Sequence, residues 1–215
     1  MRSLNVCLPL LLISWTAAYA AEDATVGFTL DFPGANPSHY EIMITNNGQG
    51  TYTSNGQLDR QSEAADPAPL TFVISESVRG EIFDLAKKAH YFTGNVDSGR
   101  KNIANTGNKT LSYKDAGHNS QTAYNYSPVP AIQELTAVFQ GLSATLEFGR
   151  RLTYLRKYQK LALDDDLKRM EEMQREKTLG DLHAIAPVLN DIANDASVMN
   201  VSRSRALRLL SQAGK

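Results

Sequence analysis

The sequence predicts an α+β fold: an antiparallel sheet with a covering helix, followed by an all-helical C-terminal half with one long helix and a helical hairpin. Three observations carry this. Apolar residues alternate as far as Pro128 and recur every three or four residues after Pro130. An Asn47-Gly48 pair separates two alternating runs, which is the signature of a β-hairpin. The chain of 215 residues has a single cysteine, Cys7, so its core must rest on apolar burial and not on disulfides, and its length allows that.

Residues 1–20, "MRSLNVCLPLLLISWTAAYA", have the layout of a cleavable secretory signal: Arg2, an apolar run from Val6 to Trp15, and Ala18 and Ala20 either side of Tyr19. Cleavage is expected after Ala20. Cys7 falls inside this leader, so the exported chain has no thiol for catalysis or metal binding. No later stretch is apolar enough to span a bilayer, and no transmembrane segment is expected after cleavage. The expected location is periplasmic or secreted. Loss of Arg2 takes the net charge from −1 to −2, which leaves no basic field for nucleic acid.

An α+β sheet domain is expected over residues 21–128 and a helical region over 129–215. "VGFTLDF" (Val26 to Phe32) alternates, and so does "HYEIMIT" (His39 to Thr45), which turns at Asn47-Gly48 into Thr51 to Thr53. "LTFVIS" (Leu70 to Ser75) is a further short strand. From Ser75 or Ser77 as cap, "SVRGEIFDLAKKAHYF" sets Val78, Ile82, Leu85, Ala86 and Ala89 on one helical face. Phe83 and Tyr91 or Phe92 then help to cover the sheet. A Gly- and Asn-rich loop follows, and "KTLSYKD" and "SQTAYNY" form a second hairpin around Gly117.

Taken together, "YEIMITNNGQGTYTS", "FVIS", "IFDLAKKAHYF" and "NTGNKTLSY" resemble a bacterial exported domain of unknown function. In that domain a Y-x-[ILV]-x-I hairpin with a Gly-containing tip precedes an I-F-x-L-A helix ending in Tyr-Phe. The resemblance covers about residues 27–126. It implies an exported α+β module and carries no activity and no functional residue across.

The helical half opens with a pattern that could run unbroken from Pro130 to Lys177, with Pro130 in the first turn. Ile132, Leu135, Val138, Phe139, Leu142, Leu146, Leu152 and Leu155 form its apolar stripe. Unbroken, it would be about 70 Å long. It must bend, at Gly149 or near the aspartates, or project and pair with a partner, and a homodimer through this helix is one expectation. In the tail, Leu179, Leu182, Ile185, Leu189 and Ile192 line one helix, and Val201, Leu207 and Leu210 a second, with Pro187 kinking or restarting the first.

Candidate chemistry is sparse. Asp164, Asp165 and Asp166 are the densest carboxylates, but successive helical residues point about 100° apart and cannot converge on one cation. Acid-before-base pairs four apart (Asp164 and Lys168, Asp165 and Arg169, Glu171 and Arg175, Glu147 and Arg151) make a solvated helical face the better account. His39, His90, His118 and His183 are scattered without ligand spacing. No G-x-S-x-G motif is present. "TGNVDSGRKNIANTG" lacks phosphate-loop spacing and reads as a mobile surface loop. "GRRLTYLRKYQK", with Arg150, Arg151, Arg156, Lys157 and Lys160 around Tyr154 and Tyr158, could touch anionic envelope polymers. No catalytic, cofactor-binding or metal-binding residue is assigned, and no cofactor is expected. The expected function is a non-enzymatic binding or scaffolding module of the bacterial envelope or secreted space, with a protein or cell-envelope partner. The rival is an envelope hydrolase or inhibitor whose site gathers distant residues, such as one histidine and an acid in a cleft between the halves.

Overall fold

The computed structural model describes residues 23–58, 69–100 and 102–213. The expected signal, residues 1–20, lies outside the described residues.

Six strands form one antiparallel sheet: β1 (Thr25–Asp31), β2 (His39–Thr45), β3 (Gln49–Ser54), β4 (Leu70–Val73), β5 (Asn108–Lys114) and β6 (Asn119–Tyr124). Their order across the sheet is β4-β3-β2-β1-β5-β6. The alternation in the sequence sets the faces. Val26, Phe28 and Leu30 of β1 lie opposite Ile44, Ile42 and Tyr40 of β2, and all six are buried. Gly48 takes φ +85° in the hairpin turn, a conformation that glycine adopts without steric cost.

The inner face is covered by α1 (Glu76–Lys88) and by the N-terminal part of α2 (Pro130–Tyr158). Ser75 caps α1, its hydroxyl accepting the Val78 amide. Phe139 of α2 stacks on Phe28 with ring centroids 5.2 Å apart, so residues of the sheet and of the helical half share one buried cluster. After α1, His90, Tyr91 and Phe92 all take positive φ (50°, 54° and 63°), a strained run for residues with a Cβ. It is offset by burial of Phe92 and by contacts of Tyr91 described below. The helix therefore stops short of the Tyr-Phe pair that its apolar pattern includes.

The long helical pattern is not continuous. Helix α2 ends at Tyr158, Gln159 departs to φ −144°, and a 3-10 turn (Lys160–Ala162) leads into α3 (Leu163–Arg175). The break falls beside the aspartates, and Gly149 stays within α2. The stripe from Ile132 to Leu155 is buried inside the chain, apart from Val138, which is partly buried.

A 3-10 turn (Leu182–Ile185), α4 (Ala186–Asn194) and α5 (Asn200–Ala213) complete the fold. Pro187 restarts the helix in the first turn of α4. Gly180 meets α2 so closely that a Cβ there would come within 2.5 Å of the Leu142 amide nitrogen. In α5 the buried face is Ser202, Ala206 and Leu209, whereas Val201 and Leu207 are exposed, contrary to the apolar stripe read from the sequence. The small residues Ser202 and Ala206 let α5 approach its neighbours, and that turns Arg205 toward α3. No helix among the described residues is long and apolar enough to cross a membrane.

Candidate functional site

The residues singled out in the sequence are distributed over separate structural roles. At the start of α3, Asp164 accepts from Arg205 of α5 (2.9 Å) and Asp166 from Arg151 of α2 (2.9 Å). Glu171, two turns on, holds Arg205 and Arg208. The carboxylates thus tie three helices together, and their position in the first turn of α3 also complements the helix dipole. The charges are structural, as expected, but they pair across helices and not along one. Among the described residues, no three His, Cys, Asp or Glu side chains converge as metal ligands.

The basic stretch is neutralised too, along α2 in one case and across helices in the others. Arg150 pairs with Glu147, Arg151 with Asp166, Arg156 with Asp191, and Lys160 with Asp195. Lys157 lies over the exposed Tyr158 ring. This face is therefore a weak candidate for anionic polymers.

The Gly- and Asn-rich loop folds around a cation. The Lys109 side chain points to the inner face near the sheet edge, and its ammonium donates to Thr106 Oγ1 (2.8 Å) and to the carbonyls of Thr106, Gly107 and Asn125 (3.1, 3.2 and 2.9 Å). Burial lowers its pKa. At this end of the loop the carbonyls of Thr106 and Gly107 face an ammonium and not an anion. Nothing in the sequence marks this lysine, because a single charge in an alternating strand looks like a solvent-facing residue.

A second buried polar group was also hidden. Glu147 in α2 accepts from Tyr52 (2.8 Å), from Ser54 and from Arg150 (2.8 Å), all on Oε1. Tyr52 also meets Ser143 at 3.0 Å. Burial, followed by the nearby Glu147 charge, pushes the Tyr52 pKa well above the usual phenol range. Glu147 thus faces Arg150, three residues on, while Arg151 serves Asp166.

The histidines remain apart. His39 pairs with Asp31 at 2.6 Å on the β1–β2 rim. His118 bonds Asp115 at 3.1 Å and stacks on Tyr91 (4.2 Å between centroids). Burial would raise the Asp115 carboxyl, but the Gly117 amide, the Tyr113 hydroxyl and the His118 amide and ring together hold it at about 2. Every one of these groups is directed at another in the hairpin turn. The turn is a knot of internal bonds that anchors the strained Tyr91, whose carbonyl accepts from Ser120.

His183 lines a sizeable cavity. On one side stand outer-face side chains of the sheet, Met43, Thr45, Thr51, Thr71 and Val73; on the other stand His183, Ala184, Pro187, Asn190 and Leu210 from the 3-10 turn, α4 and α5. The space measures about 1060 Å³, at the upper end for a small-molecule site. It exists because Gly180 and Gly149 let the 3-10 turn press onto α2, which places the helical hairpin beside the β4 edge. Among the described residues, the wall carries no Asp, Glu, Lys or Arg. Asp181, two residues from His183, is committed elsewhere: Oδ2 accepts the Ser75 amide (2.5 Å) and Oδ1 the His183 amide (2.9 Å). Among the described residues, no carboxylate lines the cleft beside the imidazole.

Fold and cleft together define an α+β chain with one half-covered sheet and a neutral crevice at the junction with its helical half. The chain matches no protein-family model and no curated protein.

Proposed function

We propose that this chain is a non-enzymatic, exported binding module of the bacterial envelope or secreted space, and that it binds its ligand in the cleft between the sheet edge and the α4–α5 hairpin. The composition of the cleft wall carries this reading: Met43, Val73, Pro187 and Leu210 provide apolar surface, Thr and Asn side chains provide neutral polar groups, and among the described residues His183 is the one titratable group. Such a wall favours a neutral, largely apolar ligand and disfavours an ion, since a charge would be desolvated without compensation. The export signal expected over residues 1–20 and the resemblance to an exported domain over residues 27–126 support the location.

The reading is tested with N-phenyl-1-naphthylamine, a neutral fluorescent probe of apolar sites. Saturable binding is expected, and Asn190→Trp should weaken it about tenfold or more by filling the cleft from an exposed position. Absence of saturable binding, or binding unchanged in that variant, counts against the cleft. Hydrolytic turnover of ester, amide or glycan substrates that disappears in His183→Ala would install the enzyme reading in its place.

A further inference from the structure

Strand β4 closes one end of the sheet order, and its hydrogen bonds show which way each residue faces. The Ile74 amide donates to the Gly48 carbonyl (3.0 Å), and β4 pairs with β3 in the register Phe72 to Gly50 and Leu70 to Tyr52. In an antiparallel ladder the alternate residues turn their main chain away. Those residues are Thr71 and Val73, and among the described residues their N–H and C=O groups have no main-chain or side-chain partner. Both also line the cleft, where Val73 is 51% exposed.

An unpaired edge is ordinarily guarded by charge, by brevity or by proline. Here β4 has only four residues and is preceded by Pro69, which has no N–H to offer. These features end the donor row at its N-terminal side, yet β4 itself carries no charged side chain. Each edge has a neighbour: the 3-10 turn Leu182–Ile185 stands near β4 without bonding the outward groups of Thr71 or Val73. Beside β6 lie the left-handed turn, whose Tyr91 carbonyl accepts from Ser120, and a loop whose Ser98 amide donates to the Tyr126 carbonyl.

We propose that β4 accepts an extended peptide segment of a partner protein as a seventh strand, uncharged and with alternating apolar residues, lying in the cleft between β4 and α4. The chemistry of the occupant follows from the walls. Main-chain N–H and C=O groups presented at strand spacing are satisfied by another strand, which gives affinity independent of side chains. Side chains on the cleft face of that strand would meet Thr71 and Val73 of the neighbouring β4 and Pro187 on the helical side. A charged residue there would find no counter-ion. This inference rests on the cleft being the binding site, and it specifies the ligand as a peptide held through its backbone.

The test uses the purified protein, the naphthylamine probe and the peptide acetyl-Ser-Val-Thr-Val-Thr-Val-Ser-amide. A twin peptide carries N-methyl groups on alternate residues of one edge, and a second twin carries them on the other edge. The unmodified peptide is expected to displace the probe and to slow amide exchange at Thr71 and Val73 about tenfold or more. One methylated twin should bind at least about tenfold more weakly than the other, because it cannot donate to β4. Val73→Pro removes an outward N–H and no ladder bond to β3, so it should weaken the peptide while leaving the circular dichroism spectrum unchanged. Probe binding with no peptide displacement, or equal affinity for both twins, overturns strand addition and leaves the cleft reading standing. Failure of the probe to bind removes both. A dimer in sedimentation that Val73→Pro dissociates would identify the occupant as a second copy and overturn the partner peptide.

Discussion

Replacing Glu147 by alanine should cost about 3–5 kcal/mol of folding stability, the range for breaking a buried ion pair from one side. Glu147 is 8% exposed, and the Arg150 side chain 12% exposed. Three donors, from Tyr52, Ser54 and Arg150, converge on Glu147 Oε1. Loss of the carboxylate leaves Tyr52 with Ser143, and leaves the guanidinium with the Ser54 hydroxyl (2.5 Å) as its remaining bond in this cluster. The uncompensated cation is thus the main expected cost, with the cavity and the lost charge-assisted bonds adding to it. For a protein of this size the loss corresponds to a fall in Tm of about 10 °C. The assay is urea unfolding followed by circular dichroism, together with the double variant Glu147→Leu with Arg150→Met. Removing both charges should restore most of the loss, since well-packed apolar groups often replace a buried pair without penalty. A single variant within about 1 kcal/mol of the parent would refute the reasoning, because the carboxylate would then not be balancing a buried charge. A double variant as unstable as the single one would place the cost in packing instead.

Three further outcomes follow from the same geometry. Asp115 has its carboxyl held at about 2 against 3.8 for the free group. A depressed carboxylate stabilises the fold above the unfolded value, so that contribution should be lost as pH falls from about 4 toward 2, and Asp115→Asn should flatten this limb of urea midpoint against pH. Gly180→Ala would set a Cβ 2.5 Å from the Leu142 nitrogen, which is backbone and cannot rotate away, so the 3-10 turn must lift from α2 at a cost of about 1–3 kcal/mol, read as a lower thermal midpoint. Arg205→Ala unties α5 from Asp164 and Glu171 at a partly buried site (19% exposed) and should cost about 1–3 kcal/mol, with faster amide exchange in α5 than in the sheet.

The sheet was legible because its information is local. Alternation in Val26 to Leu30 and Tyr40 to Ile44 states which face is buried, and Asn47-Gly48 states where the chain reverses. The stripe of α2 was legible for the same reason, as was the restart at Pro187. The phase of α5 was not. Val201 and Leu207 are the larger apolar residues, but Ser202 and Ala206 are buried, because interhelical distance and the pull of Asp164 and Glu171 on Arg205 set the rotation of the helix. A hydrophobicity pattern measures side chains one at a time and says nothing about how closely two backbones approach.

The same distinction explains why the cleft was not legible while its ingredients were. Met43, Thr51 and Thr71 alternate out of the sheet, which a reading of the sequence places on the solvent side, and Pro187 and Asn190 sit on a helix surface. None of these residue types marks a site. They become one when Gly180, sitting against Leu142, and Gly149, beneath Ile185, let the 3-10 turn close on α2 and stand beside β4, with α4 across the cleft. The openness of the β4 edge is likewise a property of register: a shift of one residue would turn Thr71 and Val73 toward β3 and direct Phe72 outward. The bond from Ile74 to Gly48 fixes that register, and Gly48 holds its place through the left-handed turn that Asn47-Gly48 makes. The hairpin signal that identified the fold from sequence is therefore also what determines which main-chain groups the cleft presents.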